Sequence, residues 1–140
     1  MCSSDLPANS ELIVESQSLF SFEATIIKLN TIIIDAGWKL PAVHDLQATI
    51  KNYGKDILPI KVFEICHPKH SSRLLELDDE RIVSTFMPCR ISVYEKSDGK
   101  TYISRFDGKR LSAMFGGLVE EVMTEANSEM EEMIGPLLLD

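Results

Sequence analysis

Two cysteines and two histidines are the residues of this 140-residue chain that are best suited to chemistry. Cys66, His67 and His70 lie close together in the sequence, and Cys89 follows further along. Thiolates act as nucleophiles and redox groups, and thiolates and imidazoles are ligands that zinc, copper and iron use. These residue types therefore raise two chemical hypotheses, thiol-based redox or sulfur-transfer chemistry and metal binding.

The spacing of these four residues matches no standard structural zinc pattern, because such patterns normally contain a close pair of cysteines. We therefore assign no metal ligands and no cofactor, and we expect purified protein to carry substoichiometric metal. His44 next to Asp45 is no diagnostic catalytic pair, and Gly116-Gly117 lacks the pattern of a phosphate-binding loop. No catalytic residue is assigned, and the sequence favours a binding protein over an enzyme.

The two cysteines are predicted to lie at the ends of two strand-like runs, residues 60–65 and 89–95, whose distance in space the sequence does not give. Pro68 starts a predicted helix over 68–77, so Cys66 should lie beside free backbone N–H groups that favour a thiolate. Arg90 follows Cys89, but strand alternation turns Arg90 to the opposite face. Cys66 is therefore predicted to be the more reactive thiol, unless both cysteines are buried as small hydrophobic residues.

Each histidine also has an interpretation that involves no chemistry. His67 can cap the helix that starts at Pro68, and His70, one turn further on, can be exposed to solvent.

The elements that must position these residues alternate between strands and helices. Apolar spacing predicts helices over 21–37, 46–53, 109–115 and 118–134, and strands over 12–14, 38–43 and 100–106. Asp98-Gly99 predicts a hairpin, and Pro41 predicts that the 38–43 strand either lies at a sheet edge or ends there. The class is therefore α+β, a largely antiparallel sheet with helices on one face. Residues 1–10, which include Cys2, are predicted as a mobile tail, and residues 11–140 as one domain.

Composition limits the classes of partner. With 44% hydrophobic and 26% charged residues, the chain has the balance of a soluble globular domain. A net charge of -8 argues against binding to nucleic acid or anionic lipid. No apolar run approaches the roughly 18 residues of a membrane span, and no secretory signal is recognisable. Three cysteines suit reduced thiols, so we expect a cytoplasmic protein.

The acidic charge is concentrated at one end of the chain. After Arg110 the sequence has no Lys or Arg, so the charge belongs to the last helix, where the acids are predicted to lie on the face opposite the apolar stripe. The acidic residues in this part of the chain are Glu120, Glu121, Glu125, Glu129, Glu131, Glu132 and Asp140.

Several of these motifs resemble the domain-of-unknown-function 302 family of uncharacterised bacterial and archaeal proteins. The resemblance covers about residues 11–135 and rests chiefly on VFEICHP at 62–68 and MPCRI at 87–91. It also includes the 21–37 helix followed by Trp38, and the Asp98-Gly99-Lys100 turn. The resemblance implies a TATA-binding-protein-like topology, β-α-β-β-β-β-α with inserted helices, and a homodimer. It implies no established activity.

We predict a small homodimeric module that binds a small molecule or a protein partner. Its site would combine the concave side of the sheet with the 66–70 edge. The Met-rich stripe of the last helix also favours a homodimer, if one small domain leaves it partly unburied. The first alternative is a thiol-based redox or sulfur-transfer protein that uses Cys66 with or without Cys89, and the second is a metal-binding protein. The candidate ligand or redox residues are Cys66, His67, His70, Cys89 and Arg90.

Overall fold

A five-stranded antiparallel sheet forms the centre of the computed structural model, which describes residues 12–139. The predicted N-terminal tail and Cys2 lie outside the described residues. The strands are β1 (Ile13–Gln17), β2 (Lys39–Asp45), β3 (Ile60–Cys66), β4 (Cys89–Glu95) and β5 (Thr101–Phe106). Their order across the sheet is β1-β5-β4-β3-β2.

Within residues 12–139, five α-helices and two short 3₁₀ helices connect and cover the strands. The helices are α1 (Phe22–Asp35), α2 (Leu46–Asn52), α3 (Pro68–Leu75), α4 (Gly108–Ala113) and α5 (Gly117–Ile134), with 3₁₀ helices at Glu80–Phe86 and Gly135–Leu137. The α+β class and the antiparallel sheet are confirmed. When the shorter α2, α3 and α4 are set aside, the chain runs β-α-β-β-β-β-α, the order that the family resemblance implies.

Local sequence signals account for most of the element boundaries. Ser21 caps α1, because its hydroxyl accepts a hydrogen bond from the backbone N–H of Ala24. Gly99 adopts a positive φ of 79° in the predicted turn between β4 and β5, and Asp98 accepts from the Lys100 N–H there. The predicted 68–77 helix ends at Leu75, and the 3₁₀ helix Glu80–Phe86 that follows was not predicted from the sequence.

Both edges of the sheet differ from a regular unpaired strand. β2 is an edge strand, and its register with β3 shifts between Lys39 and Ala42, around Pro41. At the opposite edge the end of the chain returns to β1. The backbone N–H of Leu139 donates to the carbonyl of Gln17, and Ser18 forms a bridge with Leu138.

The main core lies between one face of the sheet and helices α1 and α5. Alternate residues of β3, β4 and β5 are buried, as the period of a half-covered sheet requires. The cluster contains Phe63, Ile65, Ile91, Val93 and Ile103 from these strands, Leu29 and Ile33 from α1, and Met130, Met133 and Ile134 from α5.

The methionine stripe of α5 is a point of correction. Met130 and Met133 are only 5% and 9% exposed within a single chain, since α5 packs against the sheet. The idea that one domain leaves this stripe partly unburied is therefore wrong for these two residues, whereas Leu118 and Met123 of the same stripe are only partly buried.

An ion pair between a buried arginine and a partly exposed glutamate fixes α5 to the sheet. The Arg105 guanidinium in β5 donates to both carboxylate oxygens of Glu131, each at 2.8 Å, and to the Ser16 hydroxyl at 2.9 Å. Arg105 is only 5% exposed, so its charge depends on these partners. The expectation that the acids of the last helix lie on the face opposite its apolar stripe is therefore wrong at Glu131, which is turned towards Arg105 of the sheet.

The outer face of the sheet, opposite the core, carries the alternate residues of the five strands. We define it by Ile13, Glu15, Ala42, His44, Val62, Glu64, Arg90, Ser92, Tyr94, Tyr102, Ser104 and Phe106. Within residues 12–139, no helix is long and apolar enough to cross a lipid bilayer.

We expect Glu131→Ala to lower the free energy of unfolding by about 3 kcal/mol, because it leaves the buried Arg105 charge uncompensated. Glu132→Ala is the matched control, since Glu132 is an exposed neighbour on the same helix, and it should change stability by less than about 0.5 kcal/mol. Urea unfolding followed by circular dichroism measures both variants. Equal stability of the two would contradict a structural role for the ion pair.

Candidate functional site

A partly open pocket lies where β3 ends and β4 begins, on the helix-covered side of the sheet. Its walls come from these two strands, from α3, from the 3₁₀ helix Glu80–Phe86 and from α5, and its volume is about 60 Å³. Most of the wall is apolar, with Trp38, Leu74, Val122 and Met123 among the contributors. We call it the thiol pocket because Cys66 and Cys89 also line it.

The structure brings four of the five predicted site residues to this pocket, namely Cys66, His67, His70 and Cys89. Arg90 is not among them. It belongs to the outer face, where its Nη2 atom lies 3.8 Å from a carboxylate oxygen of Glu64. The predicted combination of the sheet surface with the 66–70 edge thus corresponds to two separate places, because the thiol pocket and the outer face lie on opposite sides of the sheet.

Cys66 ends β3, immediately before the first turn of α3. Its Sγ atom lies 3.5 Å from the Ser71 hydroxyl, which comes from the same helix. The thiol therefore has a polar neighbour and lies near the free N–H groups of the helix start. Ser71 was not predicted, although its position one turn after His67 is the signal that could have found it.

Cys89 pairs with Ile65 across the β3–β4 ladder, one residue away from Cys66 on the neighbouring strand. The residue as a whole is exposed, but protein atoms surround its sulfur. Burial of the thiol, and to a smaller extent its electrostatic interaction with Cys66, raises the pKa of Cys89. Both cysteines are free thiols.

His67 and Trp38 form an aromatic group beside Cys66. The two rings meet edge to face with centroids 5.4 Å apart, and the His70 ring is 5.3 Å from the His67 ring. The Nδ1 atom of His67 accepts a hydrogen bond from the backbone N–H of Lys69 at 3.3 Å. His67 is therefore the N-cap of α3, as the capping interpretation predicted.

His70 is buried, with 4% of its surface exposed, so the expectation that it faces solvent is wrong. The reason is that His70 and Leu74, four residues apart, form the buried face of α3 that packs on α5. The imidazole Nε2 lies against a carboxylate oxygen of Glu129 on α5. Sequence reasoning missed Glu129, yet its position three residues after Ala126 and seven after Val122 places it beside the apolar stripe.

Polar groups on the outer face are largely paired within the chain. His44 Nε2 lies 2.7 Å from a Glu64 carboxylate oxygen, whereas Asp45, its neighbour in sequence, caps α2 instead. The Tyr94 hydroxyl donates to Glu15, and burial together with this bond raises the pKa of Tyr94 to about 12. The thiol pocket is thus the better candidate for ligand chemistry.

The geometry defines an α+β domain. It has a five-stranded antiparallel sheet and a pocket lined by two free thiols. The family model for the domain of unknown function DUF302 matches residues 13–137, so the chain belongs to this family. It is similar to the crystal structure of an uncharacterized conserved DUF302 protein from Bacillus stearothermophilus, with a TM-score of 0.80 and 18% sequence identity. That similarity covers 91% of this chain and 99% of the other, and it shows the fold. No functionally curated protein sequence matches this chain.

We expect alkylation to label Cys66 faster than Cys89 in the native protein. The raised pKa of Cys89 leaves less of the reactive thiolate at neutral pH, and Cys66 has the start of α3 beside it. Iodoacetamide labelling between about pH 6 and pH 9, followed by peptide mass spectrometry, measures each cysteine separately. Labelling of Cys66 no faster than Cys89 would contradict this ordering. If both resist until the protein unfolds, they are buried hydrophobic residues.

Proposed function

We propose that this chain is a homodimeric module that binds a small ligand in the thiol pocket. The observation that supports the proposal is the placement of two thiols and two imidazoles in the wall of one otherwise apolar pocket. A small number of polar groups within an apolar concave surface is the usual composition of a ligand site. The apolar wall would hold the body of a ligand, and the sulfur and nitrogen atoms would select its polar end.

The size of the pocket limits the ligand. A volume of about 60 Å³ exceeds the roughly 10–15 Å³ that one water requires, but it is too small to enclose a drug-sized molecule. The ligand, or the part of it that enters, therefore has only a few non-hydrogen atoms. Thiol and imidazole partners favour a soft, weakly hydrated group over a strongly hydrated one, because a strongly hydrated group loses more on leaving water.

Ethanethiol and ethanol provide a matched pair of probes that differ in one atom. We expect ethanethiol, under reducing conditions, to shift the NMR signals of the Met87 and Met123 methyl groups, which line the pocket, and ethanol to shift them much less. Met130 lies in the main core and serves as the internal control. Selective labelling of the methionine methyl groups with carbon-13 makes this a direct titration.

The control variants fill space inside or outside the pocket. Ala126→Leu places a larger side chain in the pocket wall and should abolish the shifts, whereas Ala113→Leu, at an exposed position of α4, should preserve them. Shifts at Met130 as large as those at Met87 would contradict specific binding in the pocket. Shifts that persist in folded Ala126→Leu would do the same.

A second candidate function is thiol–disulfide exchange, which is favoured by the adjacency of Cys66 and Cys89 on paired strands. In this reaction the Cys66 thiolate attacks one sulfur of a disulfide substrate and releases the other sulfur as a thiolate. The Cys89 thiolate then attacks Cys66, forming the Cys66–Cys89 disulfide and releasing the second half of the substrate as a thiolate. Resistance of both cysteines to alkylation in the native state would exclude this function.

The homodimer is proposed from the family resemblance, with the outer face as the contact surface. Phe106, at the end of β5, is 46% exposed, and Ile13, its partner across the ladder, is 45% exposed. Burying two such side chains against a second copy would remove apolar surface from water. Most polar groups on this face already have partners within the chain, so few remain to bind a polar ligand. This favours a second copy as the occupant.

Sedimentation equilibrium at micromolar concentration should give twice the monomer mass of 15.7 kDa. We expect Phe106→Asp to shift the equilibrium towards monomer, because it puts a charge into the contact. Ile27→Asp is the control, since Ile27 is 66% exposed on α1, on the other side of the sheet. A wild-type monomer over the whole range, or equal dissociation of both variants, would contradict a dimer through this face.

A further inference from the structure

Two glutamates of α5 and one histidine of α3 bring their potential ligand atoms together. Glu125 and Glu129 are four residues apart on one side of α5, and His70 approaches them from the helix packed alongside. One ligand atom from each of the three residues lies within 4.8 Å of the others. A cluster of this size can surround a single ion.

The state of His70 provides an independent indication of a ligand. The residue is buried, and neither of its ring nitrogens makes a hydrogen bond of normal geometry with residues 12–139. Its Nε2 atom makes an ion-pair contact with the Glu129 carboxylate, and its Nδ1 atom has no hydrogen-bond partner among the described residues. Buried polar groups are normally satisfied, and one without a hydrogen bond calls for an explanation such as a bound ion.

We propose that His70, Glu125 and Glu129 bind one divalent transition-metal ion, with Zn²⁺ as the best match. An imidazole nitrogen with two carboxylates is a donor set that zinc uses, and it leaves one position for water or another ligand. Mg²⁺ and Ca²⁺ prefer oxygen-only ligands, so the imidazole disfavours them. This set differs from the four thiol and imidazole residues considered from the sequence, with which it shares only His70.

In the structure, two cationic side chains pair with the carboxylates of the proposed site. Arg73 Nη1 lies 2.8 Å from Glu125, while its Nη2 lies 3.3 Å from Glu121, and Lys69 Nζ lies 3.7 Å from Glu129. Metal binding would displace Arg73 from Glu125, and Arg73 would keep its bond to Glu121. The guanidinium is therefore a competitor of the ion, and its removal should tighten metal binding.

The proposal goes beyond ligand binding in the thiol pocket, although the two sites are physically adjacent. His70 contributes to the pocket wall as well as to the ion cluster. A bound ion would fix the orientation of this imidazole in the wall.

The decisive experiment is a zinc titration of a variant without thiols, in which Cys2, Cys66 and Cys89 are all changed to Ser. Competition with a chromophoric chelator should give one Zn²⁺ per chain. Glu129→Gln in this background should weaken binding by at least about tenfold, because it removes a ligand and keeps the shape of the side chain. Glu132→Gln is the control on the exposed side of the same helix and should leave the affinity unchanged.

Arg73→Gln gives a prediction of opposite sign. It should increase Zn²⁺ affinity several-fold, since Glu125 loses its competing partner, whereas a purely structural cluster would show no such gain. Co²⁺ added to the protein with its thiols intact should give a spectrum without sulfur-to-metal charge transfer.

Three results would overturn the site. They are no zinc binding by the thiol-free variant when its circular dichroism shows a native fold, equal affinities of Glu129→Gln and Glu132→Gln, and a thiolate charge-transfer band with Co²⁺. The last result would assign the metal to the cysteines.

Discussion

The pairing of β3 with β4 is the constraint on which the arrangement of the thiol pocket depends. Ile65 lies opposite Cys89 in this ladder, and that register brings the two cysteines, far apart in sequence, to adjacent strands. A shift of one residue would turn Ile91 and Val93 out of the core and carry Cys89 to the outer face. The burial of the core therefore also determines where the Cys89 sulfur lies.

Helix α5 is an amphipathic element that makes three kinds of contact. Its apolar side completes the main core through Met130 and Ile134, and Glu131 compensates the buried charge of Arg105. Glu129, on the boundary between the apolar and acidic sides, meets the buried His70. An acid at such a boundary contacts a neighbouring helix and water at once, so charge on one helix can serve folding and recognition together.

Much of the fold could be predicted because its signals are local. Ser21, Asp98-Gly99 and Pro41 each specify a cap, a turn or an edge through their own backbone chemistry. The sequence predicts that Cys66 and Cys89 each lie at a strand end. It does not give the distance between them, because distance across a sheet depends on strand order. The burial of His70 was missed because its cause is the packing of α3 on α5, a long-range contact that no short pattern records.

The treatment of the two sheet edges has a consequence for solubility. An unpaired edge strand is a template for adding strands from other molecules, which leads to aggregation. Here Pro41 lacks a backbone N–H and interrupts the ladder of β2, while the returning chain end, through Leu139, occupies hydrogen-bonding groups beside β1. Open-ended growth through the edges into fibres is thereby disfavoured.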